Sequence, residues 1–519
     1  MKKTIKKLIL ISSVFLVAGC DKDFKEINTN PYAITSIDPA LLFAGAQRTG
    51  LGGWGAEHTI VQQFVSPYNT GATIGFNFNE DVDATGRFGE YTGSIKNMIQ
   101  ALNILGDNTT RVNLKSMIRI WKAQVFMGLV DSYGDVPYFD AGKAVSDAVF
   151  YPKYDDDVAI YDDLYKELKE GVAALNPSGD WVPEDLFYGK NAHASTKTAN
   201  AADQTAKWKK LGNSLLLRLG LRYTRSNPTK AQSIASEAFA GGVMTSNADN
   251  AFVKYDGVLY TIGDNAQLRN FSQFNYASEP FVNHLKATND PRAKFVIASF
   301  TEPGAVGNET NPDVTLANQF GVPIGVTSDQ ITAAGSPYRG ARGQGLNYSQ
   351  FHVHRLASPA APEFWVTYAQ TSLLLADAAK RGWIAGGDAQ AKIYYENGIR
   401  ADMEIYSLYP GTTPISPTEI NAYINHPEVL YNPAEALRLI NTQYWIVNIR
   451  NGAEAFANVR RTGFPVLSPN LFNNKLNGGF VRRMSYPDIE ASANGANYSA
   501  ASTAIGGDKL TSRVFWDIP

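Results

Sequence analysis

The chain has 519 residues, 47 basic against 49 acidic side chains, and a formal net charge of -2. No basic field is available to hold a polyanion, which argues against nucleic acid as a partner. A single cysteine rules out an internal disulfide, so stability rests on packing of a chain that is 44% hydrophobic.

The first segment reads as a secretory signal. Lys2, Lys3, Lys6 and Lys7 form a basic head, Leu8 to Leu16 an apolar run, and Val17-Ala18-Gly19-Cys20 a small-residue close on the only thiol. The apolar run is shorter than the ~20 residues that span a bilayer. The close resembles a bacterial lipobox, which predicts cleavage after residue 19 and acylation of Cys20. Two or more acyl chains hold a soluble body on a membrane. Residues 20–37 are polar and turn-rich and read as a lipidated tether to a single body over 38–519.

Asp38-Pro39 predicts a helix start, with Asp as cap and Pro in the first turn. Apolar residues then recur at steps of three and four over several stretches. In 112–133 they are Leu114, Met117, Ile118, Trp121, Val125, Leu129 and Tyr133. In 156–175 they are Val158, Tyr161, Leu164, Tyr165 and Leu168, behind the acids Asp155, Asp156 and Asp157, which suit a helix N-terminus. In 207–225 they are Trp208, Leu211, Leu215 and Leu219. A helix over 229–240 follows Asn227-Pro228, and further helices are expected over 363–381, 387–406, 433–451 and 453–459. The predicted fold is mostly α: an α–α superhelix of four degenerate tetratricopeptide-like pairs near 89–133, 157–225, 363–406 and 416–459. Residues 241–362 and 465–519 show little helical period. The first of these, with 66–92, forms a large loop-rich face.

Catalytic motifs are missing. Gly50 to Gly55 matches G-x-G-x-x-G but follows a helix, which points to a turn rather than a dinucleotide site. No G-x-S-x-G or H-E-x-x-H occurs. His352 and His354 share one face of a possible strand without further ligands, and the acids of 155–163 lack calcium-loop spacing. Neither a catalytic group, a metal nor a cofactor is assigned. Two alternatives stay open: a lipid-anchored glycoside hydrolase, since its two carboxylates are set by space and not by spacing, and a helical-repeat scaffold that binds peptide or docks proteins without glycan affinity.

The positive signal is aromatic: 26 Tyr, 26 Phe and 8 Trp, with 44 Gly and 25 Pro. Rings concentrate in the irregular segments. A ring stacks on the C–H face of a sugar while neighbouring polar groups bond its hydroxyls. The candidate ligand-binding residues are Phe76, Asn77, Phe78, Arg87, Phe274, Tyr276, Tyr338 and Tyr348. Tyr68, Phe88 and Tyr91 are further rings of the same kind. The alternative for each ring is that it packs a loop onto the helices.

Motifs spread along the chain resemble the SusD/RagB family of Bacteroidetes outer-membrane lipoproteins, in its SusD-like branch. They are 24–31 (FKEINTNP), 129–138 (LVDSYGDVPY), 364–380 (FWVTYAQTSLLLADAAK), 458–465 (NVRRTGFP) and 513–517 (RVFWD). The resemblance implies helix pairs with an opposed loop-rich face. It implies a surface lipoprotein that binds an oligosaccharide, or in some members a peptide, and caps a SusC-type TonB-dependent barrel for import. It implies no catalysis. Within 129–138, Gly134 and Pro137 read as a helix stop that shapes the fold.

Overall fold

The computed structural model describes residues 37–48, 54, 56–65, 85–144, 146–262, 265, 268, 276–301, 303–337, 348–469, 476 and 479–519. Cys20 and the glycine run 50–53 lie outside them.

Helix α1 (Pro39–Arg48) starts where the Asp38 carboxylate accepts from the Ala40 N–H at 2.9 Å. After the short α2 (Ala56–Ile60) come α3 (Ser94–Leu105) and α4 (Val112–Tyr133), the first helix pair. Helix α4 ends at Gly134, whose φ of 75° is reached freely only by glycine. Helix α5 (Asp157–Ala174) is capped by Asp156, which accepts from the Ala159 N–H at 3.0 Å. Helices α6 (Ala201–Arg222) and α7 (Pro228–Gly241) complete this half; α7, expected over 229–240, takes in Pro228 as its first residue and is capped by Asn227. Successive helices pack on one another from α3 to α7. Val158, counted in the apolar stripe of α5, is instead 40% exposed.

A short helix, α8 (Glu279–Ala287), interrupts the loop-rich region. The second half holds α9 (Tyr368–Lys380) paired with α10 (Gly387–Ile405), then α11 (Pro417–Ile424), α12 (Ala436–Val447) and α13 (Gly452–Thr462). Helix α9 touches α6, and α13 touches α4, which closes the two halves around one core. That core encloses Trp121, Trp208, Trp365, Trp445 and Trp516. Among the described residues no helix is long and apolar enough to cross a membrane.

Two small antiparallel sheets lie in the loop-rich part. One has strands β1 (Phe64–Val65), β3 (Tyr276–Ala277), β5 (Gln350–Phe351) and β4 (Ile297–Ala298) in that spatial order. The other pairs β2 (Ala251–Val253) with β6 (Glu363–Val366).

Three of the sequence motifs meet in the core. The buried Asp131 carboxylate accepts from the Tyr161 hydroxyl, Arg222 Nε (3.0 Å) and Trp516 Nε1 (2.9 Å), and its carbonyl accepts from Arg460 Nη2. Arg222 also pairs with Glu454 at 2.6 Å. The LVDSYGD motif is thus a structural junction, in line with its reading as a shaper of the fold.

Candidate ligand-binding face

Each of three segments that carry candidate rings, 66–84, 269–275 and 338–347, borders a described residue of one small cluster. Val65 precedes the first, Tyr276 follows the second, and Tyr348 follows the third. These three residues pack together with Val322, Val326 and Ile331 in a satellite core separate from the main one. Strand pairing makes this so. Val65 is the register partner of Tyr276, and Tyr276 is the partner of Gln350. The Tyr276 and Tyr348 rings meet edge to face, 6.3 Å between centres. Below them, Ser349 Oγ donates to Gln319 at 2.7 Å and accepts from the Phe320 N–H at 2.9 Å, tying the 319–320 backbone to β5.

The structure therefore places Tyr276 and Tyr348 differently from the exposed position expected of ligand rings. They are 1% and 5% exposed. The pairing of β3 with β1 and β5 turns both rings into the satellite core, so neither offers a free face for stacking. Phe76, Asn77, Phe78, Phe274, Tyr338 and Tyr68 lie outside the described residues.

Arg87 stands at the far flank of segment 66–84 and pairs with the buried Glu57 of α2. Burial alone would raise the Glu57 carboxyl, but the charge and hydrogen bond of Arg87 overcome this and hold it below the ordinary value. Arg87 is thus committed to an internal ion pair. Phe88 packs edge to face on Tyr133 at 4.7 Å, and the Tyr91 hydroxyl donates to the Pro137 carbonyl at 2.6 Å. Both rings attach this flank to α4.

The histidines take structural places. His352 is buried, and burial with the nearby Arg355 pushes it down to about 3. His354 Nε2 lies 2.8 Å from the Glu309 carbonyl oxygen. The carboxylates of Asp135, Asp156 and Asp157 approach within 4.8 Å of one another at the start of α5. Asp157 there accepts from the Phe515 N–H at 2.9 Å, and Asp135 accepts from the Asp157 N–H at 3.0 Å.

Several exposed rings escaped the sequence reading, among them Phe150, Tyr151 and Tyr260. Tyr260 lies in an apolar turn after β2, with the Arg48 guanidinium 4.5 Å from its ring centre. The stretch 255–260 (YDGVLY) has no periodicity to mark it, and only its run of large apolar residues in a loop gave a signal. An open pocket of about 330 Å³ lies elsewhere, between 288–294 and α11, with the Lys294–Glu419 ion pair (2.7 Å) on its wall. It contains none of the predicted residues.

A SusD-like family model, described as starch-binding associating with outer membrane, matches residues 33–487. Among solved structures, a chitin-binding protein is 28% identical with a TM-score of 0.75, over 93% of this chain and 100% of its own. A SusD-like protein of Bacteroidetes AC2a is 25% identical with a TM-score of 0.78, over the same shares. A SusD homologue of Bacteroides fragilis shares the fold at 21% identity and a TM-score of 0.71, over 93% of this chain and 99% of its own. No curated protein matches the chain.

Proposed function

The chain belongs to the SusD-like family of starch-binding, outer-membrane-associated proteins, and on that premise we propose that it captures a glycan at the cell surface. In this reading residues 1–19 are the lipoprotein signal, acylated Cys20 and residues 20–37 are the anchor and tether, and 38–519 form the binding body. A SusC-type TonB-dependent barrel receives the ligand for import. Phe76, Asn77, Phe78, Phe274 and Tyr338 contact the sugar. Arg87, Tyr276 and Tyr348 hold the flanks of the segments that carry them.

The observation that carries this reading is the satellite core. It brings the borders of three ring-bearing segments, marked by Val65, Tyr276 and Tyr348, to one place on a fold of the starch-binding family. A sugar stacked on such rings buries C–H surface while water competes for its hydroxyls, so affinity per sugar unit is weak. The names of relatives, one chitin-binding, support starch or chitin oligosaccharides as the first ligands to test.

Isothermal titration against a glycan panel tests the proposal. Binding without released product is expected, and Phe78→Ala should weaken it about threefold to tenfold. New reducing ends after incubation would favour the hydrolase alternative, and a protein that binds nothing in the panel would remove the glycan reading. Purification from membranes should bring a barrel protein with it.

A further inference from the structure

The first turns of α6 wall a hollow of about 520 Å³ in which lysines collect. Asp203, Lys207 and Lys210 are spaced three and four residues apart and so share one face of the helix. Residues 197–199, which lead into the Asn200 cap of α6, form a second wall. Asp249, the last residue of the short 3-10 turn Asn247–Asp249, forms a third.

The charges in this hollow are not balanced. Lys210 is matched: its Nζ donates to both carboxylate oxygens of Asp249, at 3.1 and 2.9 Å. The same carboxylate accepts from the N–H groups of Thr245 (2.9 Å) and Ser246 (3.2 Å), so Asp249 is fully engaged. Lys207 is not matched. Its half-buried Nζ donates to two neutral carbonyls, those of Thr196 and Ala248, both at 2.7 Å, and to no carboxylate among the described residues. An ammonium has three donors, so one remains at the wall of the hollow. Burial, with the Lys210 charge and against those of Asp249 and Asp203, holds Lys207 below the ordinary lysine value, the response of a cation short of counter-charge. Lys197 is exposed, and its ammonium meets no carboxylate among the described residues. The Asp203 carboxylate accepts from Asn200 Nδ2 at 2.8 Å and stays at the exposed rim.

We propose that this hollow binds the carboxylate of an acidic sugar, a hexuronic acid unit of the cargo, between Lys197 and Lys207. The inference rests on the glycan-binding reading and adds a charged unit to it. The remaining N–H of Lys207 sits on a nitrogen already fixed by two carbonyls, so little freedom is lost when it donates to one carboxylate oxygen. Lys197 comes in from solvent to the other. Thr198 Oγ1, which donates to the Tyr188 carbonyl at 2.6 Å, and the Asp203 carboxylate are free to accept from sugar hydroxyls. The hollow has room for a pyranose ring and not only for a bare ion. Charge-assisted hydrogen bonds are stronger than neutral ones. A neutral glucan has no group to match the two ammoniums, so the hollow separates acidic from neutral glycans.

Titration of the full mature chain with tetragalacturonate, maltotetraose and inorganic sulfate tests this in the wild type, Lys197→Ala, Lys207→Gln and Asp203→Asn. The Lys197 side chain holds no described residue in place, and Lys207→Gln keeps amide donors for the two carbonyls. Near-ultraviolet circular dichroism verifies that each variant is folded. At low ionic strength tetragalacturonate should bind the wild type about tenfold more tightly than maltotetraose, and added salt should narrow the margin. Lys197→Ala and Lys207→Gln should each weaken tetragalacturonate by about threefold to tenfold and leave any maltotetraose affinity unchanged. Asp203→Asn removes an opposing charge and should strengthen tetragalacturonate by about twofold to threefold. Equal affinities for the two oligosaccharides, or an acidic preference untouched by both lysine variants, overturns the site and leaves the general glycan reading standing. Sulfate that binds as tightly as tetragalacturonate, and is lost in the same variants, also overturns it and gives the hollow to free inorganic anions. A wild-type chain that binds no glycan of the wider panel removes both.

Discussion

Asp157 shows how one side chain can set a pH response. It opens α5, where a negative charge suits the helix dipole, yet it points inward beside Asp135 and Phe515. Burial, with the neighbouring Asp135 and Asp156 charges, pushes it up to about 7. A carboxyl whose folded value lies above its unfolded value favours the folded state while protonated. That contribution is complete below about pH 4 and fades as pH rises through about 7. Asp157→Asn should therefore raise the melting temperature, relative to wild type, more at pH 8 than at pH 5. A difference that is the same at both pH values would refute the assignment. Gly452 gives a steric counterpart. A Cβ at this first residue of α13 would stand 2.5 Å from His58 Nδ1, and His58 is buried with Nε2 donating to the Ile449 carbonyl at 2.9 Å. Gly452→Ala should cost about 1–3 kcal/mol by urea unfolding. The acidic helix start was legible in the sequence. The inward turn of Asp157 was not, because the residue that receives it, Phe515, lies 358 positions away.

At the scale of elements, close helix approach depends on small residues at the crossings. Gly212 of α6 faces Val172 of α5, and a Cβ there would stand 2.3 Å from Val172 Cγ2. Gly212→Ala should separate α5 from α6 and lower stability by about 1–3 kcal/mol, read from the urea midpoint. An unchanged midpoint would mean that the crossing yields at no cost. The long helices were legible through their apolar stripes, helped in some by a start signal, as at Asp38-Pro39 and the acids 155–157. Two kinds of helix were not. Helix α8 is only nine residues long, too short for a period to stand out. The helix Gly495–Ala504 buries only Ala501 and has no stripe to read. The satellite core was equally hidden, since it depends on strands of two residues paired across long stretches of chain.

For the whole molecule, the C-terminal residues close the superhelix. Trp516 is fully buried, donates to Asp131 and lies under the guanidinium of Arg460, 4.8 Å from its ring centre. Arg222 carries its charge between Asp131 and Glu454, so α4, α6 and α13 share one buried charge system. Removing one partner strands the others away from water. Arg222→Met should cost about 3–5 kcal/mol, and Trp516→Ala about 3–5 kcal/mol, both by denaturant unfolding. Retained stability in Arg222→Met would mean that water reaches the carboxylates. The motifs that supply these residues were visible separately in the sequence, but their meeting point was not.

The satellite core has a consequence of its own. Val65, Tyr276 and Tyr348 pack on one another in a cluster of their own, while their strand neighbours Phe64, Ala277 and Phe351 belong to the tryptophan-rich interior, so the borders of the three ring-bearing segments share one mounting plate fixed to the scaffold. Grafting the corresponding stretches of a relative onto this plate should exchange cargo preference while the helical frame keeps its unfolding midpoint.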